Sequence, residues 1–155
     1  MPLTHSLLAR ITADVPTLTF APAADFLWSP SEKTVYYAPE GDTADALLLH
    51  ELAHGLLDHH EYAQDISLLG LEMQAWEKAR ELATTYNVPM NEEDIQDHLD
   101  TYREWLHARS TCPECEATGY EEKPRQYRCI ACTHAWRVNE ARTCGLKRYA
   151  TKETP

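Results

Sequence analysis

The chain has 155 residues, of which 43% are hydrophobic and 25% charged, and its formal net charge at pH 7 is −11. This composition is typical of a globular protein, and the length suits one compact domain with a small appendage. No apolar run approaches the roughly 20 residues that span a bilayer, and the N-terminus lacks the basic and apolar regions of a secretory signal. We therefore expect a cytoplasmic protein without membrane contact.

The charge is unevenly distributed. Residues 1–110 contain 6 Lys and Arg and 19 Asp and Glu, a net charge of −13, whereas residues 111–149 contain 7 and 5, a net charge of +2. An acidic body argues against non-specific nucleic-acid binding by the whole protein. This interpretation leaves open a local nucleic-acid or protein contact at the C-terminal end.

The N-terminal segment predicts a helix and then a strand. Leu3, Leu7 and Ile11 recur at helical spacing. Residues 15–20 (VPTLTF) are rich in β-forming residues, and Pro16 favours an edge position or the start of a strand.

A hairpin is predicted next, because residues 25–28 and 34–37 are strand-like and flank the polar segment 29–33. Such a strand could pair with an extended substrate by strand addition, or it could simply cover the core. Asp42 or Thr43 is then the predicted cap of the following helix.

The most informative segment is residues 41–60 (GDTADALLLHELAHGLLDHH), where an H-E-x-x-H motif lies in an apolar run. Residues four apart share one face of a helix, so the imidazoles of His50 and His54 can bind one Zn²⁺. Glu51, on the neighbouring edge, can act as general base on a zinc-bound water. Two histidines and a glutamate placed by chance in so apolar a helix would be costly to bury without a bound partner.

A catalytic zinc that keeps one position for water needs a third protein ligand. Residues 62–86 predict a long helix, or two helices separated at Gly70, and Glu72 is the predicted ligand within it. Ala75, three residues later, is small enough to let the two helices approach. The alternative is that Glu72 is a solvated helix residue. The predicted apolar stripe of this helix is formed by Ile66, Leu69, Met73, Trp76, Ala79, Leu82 and Ala83.

Other residues could replace Glu72 as the ligand: Asp58, His59, His60, Asp65 and Glu77. Asp58 is close enough to His54 to be a hydrogen-bond partner of a ligand instead. His59 and His60 are predicted to be exposed at the helix end, where a protonated histidine suits the helix dipole. An oxyanion stabiliser is expected too, and Tyr62, a nearby histidine or a hairpin tyrosine are the candidates.

Residues 50–54 (HELAH), followed by residues 72–75 (EMQA) with Ala79 beyond, resemble the zinc metallopeptidases of the gluzincin type. The likeness is greatest to the compact ImmA/IrrE-like group and covers roughly residues 25–85. It implies a small sheet packed on helices and regulatory repressor proteins as substrates. Trp76 stands where members of that group often have another residue. The resemblance implies that His50, His54 and Glu72 are the zinc ligands. It implies that Glu51 is the general base.

A further helix, capped by Asn91, is predicted to link this body to a C-terminal segment that contains all five cysteines. Four of them form two C-x-x-C pairs separated by 13 residues: Cys112, Cys115, Cys129 and Cys132. Without a secretory signal, this spacing predicts a closed structural Zn²⁺ site rather than disulfides. With short strands predicted at residues 119–120, 127–128 and 135–138, the segment resembles a zinc ribbon. So small a unit depends on its metal for folding energy.

The ribbon has two candidate roles. It could recruit a substrate or nucleic acid through Tyr127, Arg128, Trp136 and Arg137, or it could be a stapled lid that completes the body. The SprT-like zincins also join an H-E-x-x-H motif to a ribbon, but they use a further histidine, for which His98 and His107 are unconvincing candidates. Cys144 is interpreted as a free buried thiol, with a fifth metal donor as the alternative.

Together these patterns predict an α+β protein. Residues 1–108 form a zincin-like metallopeptidase domain with a small antiparallel sheet, residues 109–150 a zinc ribbon and residues 151–155 a disordered tail. The predicted function is a zinc-dependent endopeptidase that hydrolyses a protein or peptide substrate, with one catalytic and one structural Zn²⁺. The alternative is a non-catalytic zinc-binding adaptor that docks a protein or nucleic-acid partner through the ribbon. An intact Glu51 argues against the adaptor, because a scaffold has no use for a general base.

Overall fold

The structure is a computed structural model that describes residues 5–41 and 43–139 and the backbone of residues 148–150. Cys144 and the predicted tail at residues 151–155 lie outside the described residues. The helices and strands confirm the predicted α+β class. In chain order they are α1 (His5–Asp14), β1 (Thr19–Pro22), β2 (Leu27–Ser29), β3 (Thr34–Tyr37), α2 (Ala44–Leu56), α3 (Asp65–Tyr86), α4 (Glu92–Ser110), β4 (Gly119–Lys123), β5 (Gln126–Cys129), β6 (Ala135–Val138) and β7 (Arg148–Ala150).

Two compact units make up the described chain. The first contains the residues up to 61 together with 71–95, and the second contains 62–70 together with the residues from 96 onward. Helices α3 and α4 therefore each contribute residues to both units. The predicted division at residue 108 stays a prediction. None of the helices in the described ranges has the length and apolar character needed to cross a membrane.

The sheet of the first unit has the strand order β1-β3-β2. Strands β2 and β3 are antiparallel, with Trp28 opposite Val35, so the predicted hairpin is confirmed. Strand β1 is parallel to β3, with Thr19 opposite Thr34. The predicted small antiparallel sheet is therefore confirmed for β2 and β3 and wrong for β1. The reason is that β1 pairs with the edge of β3 that β2 leaves free. It runs in the same direction as β3 and opposite to β2.

Helix α2 buries both histidines of the motif among apolar residues. Leu48, Leu49, Leu52 and Ala53 are each 0% exposed. The helix begins after Thr43, whose side chain makes no capping hydrogen bond, and Asp42 lies outside the described residues. The histidines of the motif are therefore fixed in an apolar frame rather than on a surface.

Helix α3 is one continuous helix that passes through Gly70. Its apolar stripe was predicted partly wrongly, because Ile66 and Met73 are 62% and 48% exposed. The buried positions at its C-terminal part recur at helical spacing on a different line: Glu72, Ala75, Trp76, Ala79, Ala83 and Tyr86. A face that holds Glu72 inward turns Met73, one residue on, toward solvent. Glu72 therefore lies on the inward face together with Trp76, Ala79 and Ala83 of the predicted stripe.

The start of α4 confirms the predicted cap. The side-chain oxygen of Asn91 accepts hydrogen bonds from the backbone N–H groups of Glu93 at 2.9 Å and Asp94 at 3.4 Å. Ile95 and Leu99 of this helix are 1% and 3% exposed.

In the second unit an antiparallel sheet has the order β4-β5-β6-β7. Three of these strands were predicted, and β7 was not. A small core lies beneath them, formed by Cys112, Tyr127, Cys129, Trp136 and Val138. Gly119 is required in β4, because a Cβ there would lie 2.6 Å from both the Arg128 carbonyl oxygen and the Trp136 ring.

A buried polar anchor, formed by Asp65, Arg109 and Tyr127, joins α3, α4 and β5 within the second unit. The Arg109 guanidinium donates to the Asp65 carboxylate at 2.8 and 3.3 Å, and the Tyr127 hydroxyl donates to it at 2.6 Å. Both side chains of the Asp65–Arg109 pair are only 1% exposed. The Trp136 indole N–H donates to the Arg109 carbonyl at 2.9 Å. Since a buried charge is costly without partners, this anchor fixes the helices and the sheet together.

Candidate metal centres

The first candidate metal centre is the histidine–glutamate cluster, formed by His50 and His54 of α2 and Glu72 of α3. Nε2 of His50 lies 2.8 Å from Oε2 of Glu72, and Nε2 of His54 lies 3.2 Å from Oε1 of the same carboxylate. The two Nε2 atoms are 3.2 Å apart. All three residues are buried, at 1%, 7% and 5% exposed. The structure thus brings the three predicted ligands to one point.

Burial and the contacts within this cluster shift the pKa values of all three groups. Burial alone would raise the pKa of Glu72, but hydrogen bonds with His50 and His54 hold that pKa well below its usual range. Burial lowers the pKa of His50. For His54 burial acts in the same direction, yet the contact with Glu72 outweighs it and raises the pKa. The cluster is therefore an anionic carboxylate between two imidazoles, a donor set that suits a divalent cation.

Glu51 lies beside the cluster on the same helix and is not one of its three converging groups. Its pKa is raised to about 7: burial is the largest cause and Glu72 acts in the same direction, while His54 and a hydrogen bond from the backbone of Trp28 lower it. A carboxyl group that titrates near neutrality can both accept and release a proton.

Trp76, where the sequence departs from the resembled group, packs on the cluster. Its ring stacks on His50, with centroids 4.2 Å apart and planes 25° apart. The indole is 3% exposed, so it also covers one side of His50 from solvent.

The turn after α2 places His59 against His54. Asp58 has a positive φ of 55°, the His59 N–H bonds to the His54 carbonyl at 3.0 Å, and the Asp58 N–H bonds to the Gly55 carbonyl at 3.1 Å. This is the Schellman motif, in which a left-handed residue turns the chain back over the end of its helix. The prediction that His59 is exposed was wrong, because this turn folds it inward and leaves it 8% exposed.

His59 contacts His54 and α3 through its ring. Its Nδ1 lies 2.9 Å from Nδ1 of His54, and its Nε2 lies 3.1 Å from the amide oxygen of Gln74. The sequence analysis named His59 as a rival ligand but did not predict these contacts, because they depend on the handedness of one turn. The only sequence signal was an Asp, a residue that tolerates positive φ, directly before the histidine.

The rival ligands lie elsewhere. Asp58 was predicted to hydrogen-bond to a ligand, but its exposed carboxylate contacts Lys33 at 2.9 Å and His60 at 3.2 Å instead. That prediction was wrong because the left-handed turn directs the side chain outward. His60 is exposed as predicted, with 56% of its side chain accessible. Glu77 is exposed.

The remaining candidates belong to the second unit. Asp65 is occupied by Arg109 and Tyr127, so its carboxylate is already neutralised. Tyr62, suggested as an oxyanion stabiliser, and His107 in α4 lie in that unit.

The second candidate metal centre is the cysteine cluster, formed by Cys112, Cys115, Cys129 and Cys132. Its four Sγ atoms all lie within 4.8 Å of one another and could hold a metal ion. Sγ of Cys112 is 3.6 Å from that of Cys132, and Sγ of Cys115 is 3.4 Å from that of Cys129. The first cysteine of each pair is buried and the second is exposed.

Backbone N–H groups point at these sulfur atoms. The N–H of Glu114 lies 3.4 Å from Sγ of Cys112, and the N–H groups of Ala131 and Cys132 lie 3.3 and 3.5 Å from Sγ of Cys129. The two N–H groups on Cys129 help to lower the pKa of its thiol to about 6. At Cys129 the turn thus favours the thiolate, which is the form that binds metals.

The fold and these sites define an α+β protein with two candidate metal-binding clusters. Comparisons with protein-family models, with curated proteins and with solved structures found no match to this chain.

Proposed function

We propose that this chain is a zinc-dependent metallopeptidase of the gluzincin type, with a zinc ribbon as its structural or recruiting module. One observation carries the proposal: the convergence of His50, His54 and Glu72 within 2.8–3.2 Å beside the half-buried Glu51. Zinc ligands at roughly 2.0–2.2 Å on the corners of a tetrahedron lie roughly 3.3–3.5 Å apart. The observed separations are shorter than that spacing, so the three side chains would have to move apart slightly to admit the ion.

The cluster has three protein donors, which is the number found in catalytic zinc sites that leave one position for water or substrate. When bound, zinc would polarise the scissile carbonyl and lower the pKa of water. Glu51 would accept the proton of the attacking water and deliver it to the leaving amine nitrogen. Its pKa of about 7 suits both steps.

The cysteine cluster supports a structural zinc. Four thiolates at roughly 2.3 Å from one tetrahedral ion lie roughly 3.8 Å apart, close to the observed 3.4 and 3.6 Å. A Cys₄ site has no position open for substrate, so catalysis is not expected there. If the histidine–glutamate cluster fails to bind zinc, the adaptor function becomes the better proposal. The exposed Ile130, 73% accessible between Cys129 and Ala131, would then be a contact for its partner.

The test is Glu51→Gln beside wild type, with Glu77→Gln as the matched control, since Glu77 is an exposed glutamate on α3. A proteome-derived peptide library is incubated with each protein, and new termini are counted by mass spectrometry. We expect Glu51→Gln to lose cleavage by about 10²–10⁴-fold, the usual contribution of general base catalysis. Cleavage that survives Glu51→Gln undiminished contradicts the proposal.

Zinc per chain, measured in the same samples, separates the chemistry from the metal. We expect two zinc ions in wild type and in Glu51→Gln, and one in Glu72→Ala. A wild-type protein with a single zinc, removed only by changing the cysteines, would favour the adaptor.

A further inference from the structure

We infer that His59, held by Gln74, is a positioning residue that fixes the ring orientation and tautomer in which His54 presents Nε2 to the metal. The inference rests on the metal site of the proposed function and adds two residues that the H-E-x-x-H motif does not contain.

The hydrogen-bond chain assigns one role to each ring nitrogen. Nε2 of His54 faces the cluster, 3.2 Å from both His50 Nε2 and Glu72 Oε1, and a metal there needs its lone pair. The proton of His54 must then lie on Nδ1, which donates to Nδ1 of His59 at 2.9 Å. Because His59 accepts at Nδ1, its own proton lies on Nε2 and is donated to the Gln74 amide oxygen at 3.1 Å.

The direction of this hydrogen-bond chain is set at Gln74, where it ends. The Gln74 oxygen can only accept, so Nε2 of His59 must donate, and its Nδ1 is left as the acceptor that His54 requires. Both ring nitrogens of His59 are thereby used. His59 is a partner of a ligand, and it has no lone pair left for the metal.

The backbone of His59 is fixed from two sides. Its N–H bonds to the His54 carbonyl at 3.0 Å, and its carbonyl accepts the indole N–H of Trp28 at 3.0 Å. The side chain is 8% exposed, whereas that of His60, the next residue, is 56% exposed and contacts Asp58 on the surface. The chain thus offers a matched control of the same residue type at the adjacent position.

The first experiment measures zinc affinity of the full chain by competition with a chelator. Loss of the partner of a ligating histidine typically weakens metal binding by about 10–100-fold, and we expect this for the histidine–glutamate site of His59→Ala. His59→Asn should stay within a few-fold of wild type, because its side-chain carbonyl can replace the Nδ1 acceptor. His60→Ala should match wild type. Zinc at the cysteine cluster is the internal reference and should not change.

The second readout is the protonation state of each ring, measured by ¹⁵N NMR of histidine-labelled, zinc-loaded protein. We expect His54 protonated at Nδ1 and His59 at Nε2. His59 protonated at Nδ1 instead would overturn the inference, and this result is independent of whether His59→Ala folds.

The outcomes separate the two proposals. If wild type binds no zinc at the histidine–glutamate cluster, the proposed function fails and the inference fails with it. If wild type binds zinc there but His59→Ala binds it as tightly, or His60→Ala loses as much affinity, only the inference is overturned.

Discussion

The two candidate metal centres are built in opposite ways. The histidine–glutamate cluster takes its side chains from α2 and α3, whose frame is an apolar core with 0% exposed residues such as Leu48 and Leu52. The cysteine cluster takes its side chains from two tight turns, whose small core includes two of the cysteines themselves. In the first centre the helices and their apolar core hold the candidate ligands together. In the second the metal ligands are part of the core, so we expect the metal to be part of the fold.

The largest expected effect is the loss of the metal from the cysteine cluster. Structural zinc contributes about 10–16 kcal/mol in zinc-finger peptides at pH 7, which exceeds the stability of many whole domains. We expect Cys112→Ser to abolish slow amide hydrogen exchange in β4–β6 while α2 stays protected. Protection of β5 that persists without metal would remove the difference between the two centres.

A smaller effect is expected at the polar anchor, which is the other support of the second unit. Arg109→Leu leaves Asp65 buried without its main cation, which typically costs about 3–5 kcal/mol. Arg103→Leu on the same helix is the matched control, because Arg103 is 40% exposed and bonds Asp100 at the surface, a kind of pair worth about 0–1 kcal/mol. Urea unfolding of zinc-loaded protein measures both. Equal losses would mean that the anchor adds nothing specific.

The smallest predicted effect tests how tightly the first unit is packed. A methyl group at Gly55 would lie 2.9 Å from Leu18 and 3.1 Å from the Trp28 ring, whereas one at Gly70 would meet nothing within 4 Å. Gly→Ala in a helix normally stabilises by roughly 0.5–1 kcal/mol, while overpacking costs typically 1–3 kcal/mol. We therefore expect Gly55→Ala to destabilise and Gly70→Ala to stabilise in denaturant titrations. Stabilisation by both would show that the Trp28 contact yields easily.

The features that could be predicted from the sequence are those that depend on the spacing of nearby residues. The H-E-x-x-H spacing places His50 and His54 on one face because a helix repeats every 3.6 residues, and two C-x-x-C pairs bring thiols together through short turns. The prediction of Glu72 rests on the need for a third donor, on the small Ala75 that follows it and on the resemblance to gluzincins. Its position beside both histidines depends on packing between helices. Whether these residues bind zinc stays a prediction.

What the sequence did not reveal depends on tertiary contacts. The burial of His59 follows from the left-handed conformation of Asp58. Asp65 is not available as a metal ligand because its carboxylate binds Arg109 and Tyr127, which lie 44 and 62 residues away in the sequence. The parallel strand β1 follows from which edge of β3 was free. No local pattern encodes these choices.

The path of the chain between the two units limits how this protein can be rearranged. It passes from the first unit to the second after Glu61, returns after Gly70 and leaves again after Ile95. No single cut therefore separates the units as portable modules. A chain ending at residue 108 would retain Asp65 but lose Arg109 and Tyr127, leaving a buried carboxylate without either partner. Recombination that exchanges only the C-terminal segment would thus need a compensating change at residue 65, which ties the inheritance of the two segments together.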